Sequence, residues 1–160
     1  MKRDMRRQTA LLALTSFIAS EKEMIERTLA GLEDLHSHHP GVCTGHELRA
    51  EASYIHDFYN SAENIFRQVA EQLNGGIPRG ESWHKLLLLE MKNPVPDERQ
   101  AVISEALFSK LDLLLKFRHL FRNSYGVLLD PAKTRELALT SFEVKKQLYA
   151  ELDRFLNTLS

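Results

Sequence analysis

The stretch that decides the fold runs from Ser104 to Gly126 and reads SEALFSKLDLLLKFRHLFRNSYG. Its apolar residues, among them Leu107, Leu111 and Leu114, recur at spacings of three and four, which is the period of one face of an α-helix. Ser104 is a suitable N-cap, and Gly126 can adopt the left-handed conformation that often ends a helix. The stretch therefore predicts an amphipathic helix that packs by one face against other helices.

The same periodicity marks three other long segments outside this helix. They run from about Arg6 to Leu35, from about Glu47 to Leu73, and from Pro131 toward the C-terminus. Proline and glycine occur between the segments and would end each helix, and a short helix is expected from Ser82 to Met91. Because no strand-like alternation occurs, the sequence predicts an all-α antiparallel four-helix bundle with a short extra helix between helices 2 and 3.

The composition favours a single domain over residues 1–160. The chain is 43% hydrophobic and 27% charged, which is enough apolar material for a core. Lys and Arg total 21 against 22 Asp and Glu, so a site for a polyanion would have to be a local basic patch.

The single cysteine, Cys43, favours a reducing compartment, and we expect a cytoplasmic protein. Without a signal peptide or an apolar run of roughly 18 residues, we expect no membrane segment.

Cationic and aromatic side chains cluster at the end of the deciding helix. On an ideal helix Arg118, Arg122 and Tyr125 lie at positions i, i+4 and i+7, on the face that carries the apolar stripe. A buried arginine without a partner costs several kcal/mol, so this face should meet carboxylates, a second subunit or a bound anion. Asp57 and Glu63 on the second helix could form a structural pair with the arginines.

A nucleic-acid site is the other interpretation of these residue types. Guanidinium groups bind two phosphate oxygens at once, and aromatic rings stack on the bases of RNA. The residue types alone do not decide between a structural ion pair and an RNA-binding groove.

The order of the polar residues resembles the signature of HepT-like HEPN-domain toxins. That signature reads Arg, any four residues, His, any residue, Tyr, and here Arg118 is followed after four residues by Asn123-Ser124-Tyr125. Three longer blocks are also similar to the family: SYIHDFYN at 53–60, GGIPRGESWH at 75–84, and the segment from Phe117 to Asp130.

The resemblance implies a HEPN-like bundle that acts as a metal-independent endoribonuclease without a cofactor. Such toxins are usually homodimers in which the signature residues of both subunits face one cleft. Their partner is a minimal nucleotidyltransferase antitoxin, which transfers AMP to the signature tyrosine, here Tyr125. The negative charge of AMP beside the arginines would oppose the entry of RNA.

The resemblance also implies roles for the residues around the signature. Arg118 would stabilise the charge that develops on the scissile phosphate, and the product would be a 2′,3′-cyclic phosphate with a free 5′-hydroxyl. We expect Arg122 and His119 to support the binding of RNA, together with His56 and Asp57 of the block at 53–60.

Asn123 stands where the signature has its histidine, and a carboxamide neither accepts nor releases a proton near neutral pH. Three explanations are open: an introduced inactivating substitution, an inactive member that only binds RNA or a partner, or proton transfer by His119. On an ideal helix His119 projects about 100° and residue 123 about 140° from Arg118. We therefore expect Arg118 and Asn123 to converge only if the last turn loosens or a second subunit provides one of them.

Two further interpretations come from other protein classes. A group of histidines near Cys43 (His36, His38, His39 and His46) could suggest a metal site, but its spacing is typical of solvated loop histidines. A purely structural helical adaptor would bind no RNA at all.

Overall fold

The computed structural model describes residues 1–123 and 129–160, and this part of the chain is built from five α-helices. They are α1 (Lys2–His38), α2 (Gly45–Leu73), α3 (Trp83–Lys92), α4 (Glu105–Asn123) and α5 (Pro131–Asn157). The prediction of an all-α bundle with a short helix between the second and third long helices is confirmed. None of the described helices is both long and apolar enough to cross a membrane.

Capping residues account for two of the helix starts that the sequence predicts. Ser104 Oγ accepts a hydrogen bond from the Leu107 amide at 3.1 Å, and Asp130 Oδ1 accepts one from the Lys133 amide at 3.0 Å. The predicted end of the first helix was three residues short, since α1 continues to His38. Pro40 restricts mainly the residue before it, so the helix can run on to this point. Gly126, the predicted helix end, lies outside the described residues.

Helix α2 is the centre of the bundle and contacts each of the other four helices. The predicted apolar faces of the long helices are buried; on α2 they comprise Leu48, Ala52, Ile55, Phe58, Tyr59, Ala62, Ile65, Phe66 and Val69. Contacts between helices show the antiparallel order: His36 of α1 meets Glu51 of α2, whereas Glu21 of α1 meets Asn64 farther along α2. The bundle therefore fixes α2 against α4, the helix of the deciding stretch.

The connection between α3 and α4 is held by Arg99, which is only 5% exposed. Its Nε donates to Asn74 Oδ1 at 2.7 Å, and its other nitrogens donate to the backbone carbonyls of Glu90, Asn93 and Gln100. Burial lowers the pKa of Arg99 below the usual value for arginine. These bonds tie the segment between α3 and α4 to the ends of α2 and α3.

Candidate functional site

A cleft of about 640 Å³ lies between the middle of α2, the start of α3 and the last turns described for α4. From α4 it receives Arg118, His119, Arg122 and Asn123. From the opposite side it is lined by residues of α2, α3 and the preceding loop: Asn60, Glu63, Asn64, Arg67, Glu81, Trp83 and His84. Four of the residues singled out in the sequence therefore border one cleft.

Arg118 is anchored without being neutralised. It is 8% exposed, and its Nε donates to Asn60 Oδ1 at 2.6 Å. Within 1–123 and 129–160, neither of its two Nη atoms donates a hydrogen bond and no carboxylate forms an ion pair with it. The structural pairing considered for Arg118 is thus not what the described residues show, because Asp57 contacts His56 and Glu63 contacts His84. The Nη edge of the guanidinium is left for an anion.

Neither His56 nor Asp57 is among the residues that line the cleft, but His56 contacts both Asp57 and the cleft residue Asn60. His56 Nδ1 lies 3.1 Å from Asp57 Oδ1, and Asn60 Nδ2 lies 3.4 Å from His56 Nε2. The His56 ring also packs 5.5 Å from the ring of Phe121. These contacts orient Asn60, and Asn60 in turn holds Arg118.

Asn123 and His119 bind each other. Asn123 Nδ2 donates to the His119 carbonyl at 3.0 Å and lies 3.1 Å from His119 Nδ1. Because an amide nitrogen only donates, His119 Nδ1 is the acceptor, and in the neutral ring the proton is on Nε2. His119 is therefore held as a donor toward the cleft, which argues against its taking over as a base.

Arg118 and Asn123 border the same cleft of one chain, and α4 is helical from Glu105 to Asn123. On this helix the two side chains still point in different directions, about 140° apart. The turn before Gly126, on which the prediction about their convergence depends, lies outside the described residues, so the convergence stays a prediction.

Positive charge and a flat aromatic surface meet across the cleft. Arg67 and Arg122 are exposed, and no described residue forms an ion pair with either of them. The Arg67 guanidinium lies 5.5 Å from the centre of the Trp83 ring. With Arg118, the cleft presents three arginines against Glu63 and Glu81, and this is the local basic patch that a protein of net charge −1 needs for a polyanion.

A buried carboxylate orients a histidine at the edge of this patch. His84 Nδ1 lies 2.8 Å from Glu63 Oε2, and Glu63 is only 5% exposed. Burial, together with the nearby charge of Glu63, raises the pKa of Tyr59 well above its ordinary value, so this phenol stays protonated. Sequence reasoning did not pair Glu63 with His84, although a glutamate on the apolar face of α2 is a signal that a partner must exist.

Two other sequence predictions have different outcomes. Tyr125, the expected target of modification, lies outside the described residues. His36 is not a solvated loop residue as predicted: it belongs to α1, is largely buried, and its Nε2 lies 2.8 Å from Glu51 Oε1.

A comparison with known proteins identifies the family of the chain. Residues 50–159 match the model of a family described as HepT-like protein, and this range includes every described residue that lines the cleft. No match was found among the curated proteins or among the solved structures.

Proposed function

Because the chain belongs to the HepT-like protein family, we propose that it is the toxin of a toxin–antitoxin pair and cuts RNA in the cytoplasm. One observation carries the proposal: Arg118 is buried and anchored by a neutral amide, and the rest of its guanidinium borders a cleft with two further arginines. A cation fixed in this way binds a phosphate without first breaking an ion pair.

The geometry supports a simple division of work during cleavage. Arg118 would bind the non-bridging oxygens of the scissile phosphate and stabilise their growing negative charge. Arg67 and Arg122 would bind neighbouring phosphates, and Trp83 offers a ring for stacking on a base. Attack by the ribose 2′-hydroxyl on phosphorus would give a 2′,3′-cyclic phosphate and release a 5′-hydroxyl.

Asn123 makes this chain a slower nuclease than one with the signature histidine. Its amide is engaged with His119 and cannot transfer a proton. The same observation favours the second candidate function, a non-catalytic HEPN module that binds RNA or a protein partner in the cleft and does not turn it over.

Membership of the HepT-like family also motivates a proposal on regulation by an antitoxin. We propose that a minimal nucleotidyltransferase transfers AMP to Tyr125, which is two residues from Asn123 in the sequence. The added phosphate would compete with RNA for the arginines. Mass spectrometry after incubation with such an enzyme and ATP should show one AMP on the chain, and Tyr125→Phe should abolish it.

A second copy of the chain is the proposed occupant of an apolar groove between α4 and α5. The groove has a volume of about 380 Å³ and includes Leu113 and Leu120, which are 52% and 45% exposed. It also carries charges of both signs, from Lys116, Lys133, Asp130 and Glu136. A surface with both signs can pair with itself across a twofold axis. Leu120→Asp should convert a dimer to a monomer in light-scattering measurements.

The test of the nuclease proposal uses a fluorescent single-stranded RNA of mixed sequence and the same strand as DNA. We expect slow cleavage of RNA only, a 2′,3′-cyclic phosphate end, faster cleavage by Asn123→His, and loss of cleavage by Arg118→Ala. If neither the chain nor Asn123→His cleaves but both bind RNA, the binding module is correct. If the RNA does not bind at all, the structural adaptor is correct.

A further inference from the structure

The protonation pattern of His84 differs from that of the other histidine in the cleft. The Glu63 carboxylate can only accept hydrogen bonds, so the contact of 2.8 Å places the proton of neutral His84 on Nδ1. The lone pair is then on Nε2, for which the described part of the chain provides no hydrogen-bond partner. His119 has the opposite pattern, because Asn123 occupies its Nδ1.

From this geometry we infer that His84, positioned by Glu63, is the general base of the RNA cleavage proposed above. The inference rests on that proposed function and goes beyond it, since neither the signature nor the family match assigns a role to either residue. It also answers how a chain with Asn123 in the signature can transfer a proton.

Three features hold His84 ready for this role. Glu63 is buried, so its charge is only weakly screened by water and its hold on Nδ1 is strong. The His84 ring stacks on the Trp83 ring, with the centres 3.6 Å apart, which restricts rotation of the imidazole. His84 is 27% exposed and borders the same cleft as Arg118, so a bound RNA strand can reach both.

The proposed cleavage step needs only water as a co-reactant. Nε2 accepts the proton of the ribose 2′-hydroxyl while the 2′-oxygen forms its bond to phosphorus and the bond from phosphorus to the 5′-oxygen breaks. The leaving 5′-oxygen takes a proton from water, and the hydroxide that results takes the proton from Nε2. The products are the 2′,3′-cyclic phosphate and the 5′-hydroxyl, and His84 returns to its neutral form.

The decisive variant is His84→Asn. The asparagine amide nitrogen can occupy the place of Nδ1 and still donate to Glu63, so the buried carboxylate keeps its partner while the base is removed. General base catalysis is typically worth about 10²- to 10⁴-fold, and we expect a loss of cleavage in this range with RNA binding unchanged. The matched control is His46→Asn, because His46 is exposed at the start of α2 and does not line the cleft; this variant should cleave within a few-fold of the parent.

A second substrate distinguishes a base from an acid. An RNA with a bridging sulfur at the 5′ position of the scissile bond has a thiolate leaving group that needs no proton. His84→Asn should remain defective on this substrate, and recovery to the parent rate would overturn the assignment as base.

Glu63→Gln tests the positioning role of Glu63. Glutamine can still accept from Nδ1 but carries no charge to stabilise the imidazolium. We expect kcat to fall with KM unchanged, and no further fall when the change is made in the His84→Asn background. A purely structural Glu63 would instead lower thermal stability and would add its effect to that of His84→Asn.

The outcomes separate the inference from the function on which it rests. If the parent cleaves RNA and His84→Asn cleaves equally well, His84 is not the base and the nuclease assignment stands. If only Asn123→His cleaves, the cleft is one that can cut RNA but this chain does not cleave, and the inference about His84 fails. If no variant cleaves RNA, both fail together.

Discussion

Helix α2 carries two buried glutamates that share the same immediate chemistry. Glu51 Oε1 lies 2.8 Å from Nε2 of His36, and Glu63 Oε2 lies 2.8 Å from Nδ1 of His84. Their further surroundings differ. Arg135 of α5 also contacts Glu51, with Nε 2.9 Å from Oε1, although its N–H is not aligned for a hydrogen bond. We refer to the Glu51 group as the closed cluster and to the Glu63 group as the open cluster.

The closed cluster is a structural junction. The Arg135 guanidinium also donates to the carbonyls of His39 and Gly41 and to Sγ of Cys43, and burial raises the pKa of the Cys43 thiol. The charged groups of this cluster therefore pair with one another and connect α1, α2 and α5.

Near the open cluster, by contrast, Arg118 is held by an amide, and Arg67 and Arg122 line the cleft without an ion pair to any residue of 1–123 or 129–160. The comparison shows that the presence of a glutamate, a histidine and an arginine is not enough to identify a ligand-binding site. Where the carboxylate and the guanidinium form an ion pair, as in the closed cluster, neither group is available to a ligand.

The largest expected effect concerns stability. Arg135→Ala removes the cation from Glu51, which is fully buried, and should lower the free energy of unfolding by about 3 to 5 kcal/mol. Arg118→Ala removes one hydrogen bond to an amide and should cost only about 1 kcal/mol. Urea unfolding measures both. Equal losses would mean that Arg118 is structural and would end the distinction between the clusters.

The next effect concerns the amide that anchors Arg118. Asn60→Ala leaves the guanidinium without its contact at 2.6 Å, and such misplacement can lower cleavage by up to about 100-fold. In the Arg118→Ala background the same change should have little effect. Additive losses in the double variant would show that Asn60 acts independently of Arg118.

A smaller effect is expected on the binding of single-stranded RNA. Arg67→Ala and Arg122→Ala should each reduce the slope of log affinity against log salt by about 0.7, the value for one phosphate contact. Fluorescence anisotropy over a range of salt concentrations measures the slope. A surface arginine away from the cleft, Arg27, provides the control, and its replacement by alanine should leave the slope unchanged.

The smallest expected effect concerns Asp112, a carboxylate that belongs to neither cluster and forms ion pairs with Lys85 and Lys116. Burial of Asp112 alone would raise its pKa, but hydrogen bonds from Lys85 and Lys116 and their charges outweigh burial, so the pKa lies below its ordinary value. The ionised form therefore stabilises the fold above about pH 4, and this contribution is lost as the pH falls further.

Asp112→Asn should accordingly cost about 1 kcal/mol at pH 7 and less at pH 3. Thermal unfolding at several pH values measures the difference between the variant and the parent. A difference that grows toward acid pH would contradict the assigned direction of the pKa shift.

The helices could be predicted from the sequence because the apolar residues of each helix recur at helical spacing. The stripe of Leu107, Leu111 and Leu114 is buried as predicted, and Arg118 at its end lies at the cleft. The family resemblance added the hypothesis that Arg118 binds phosphate, which the helical period alone could not provide.

The spacing of apolar residues could not predict which side chains of different helices would contact each other. Asn60 and Arg118 are 58 residues apart and Glu63 and His84 are 21 apart, so their meeting depends on the register of packed helices. His36 was mispredicted for a related reason: the nearby proline suggested a loop, whereas the buried charge of Glu51 is met by a histidine on an extended helix.

Trp83 is the only tryptophan of the chain, and it lines the cleft in contact with the Arg67 guanidinium and the His84 ring. Its ultraviolet emission therefore reports on this one place and on no other part of the molecule. A stacked base would quench that emission, and so would a positive charge on the adjacent imidazole. The protein thus carries a built-in optical probe with which occupancy of the cleft can be titrated without any label.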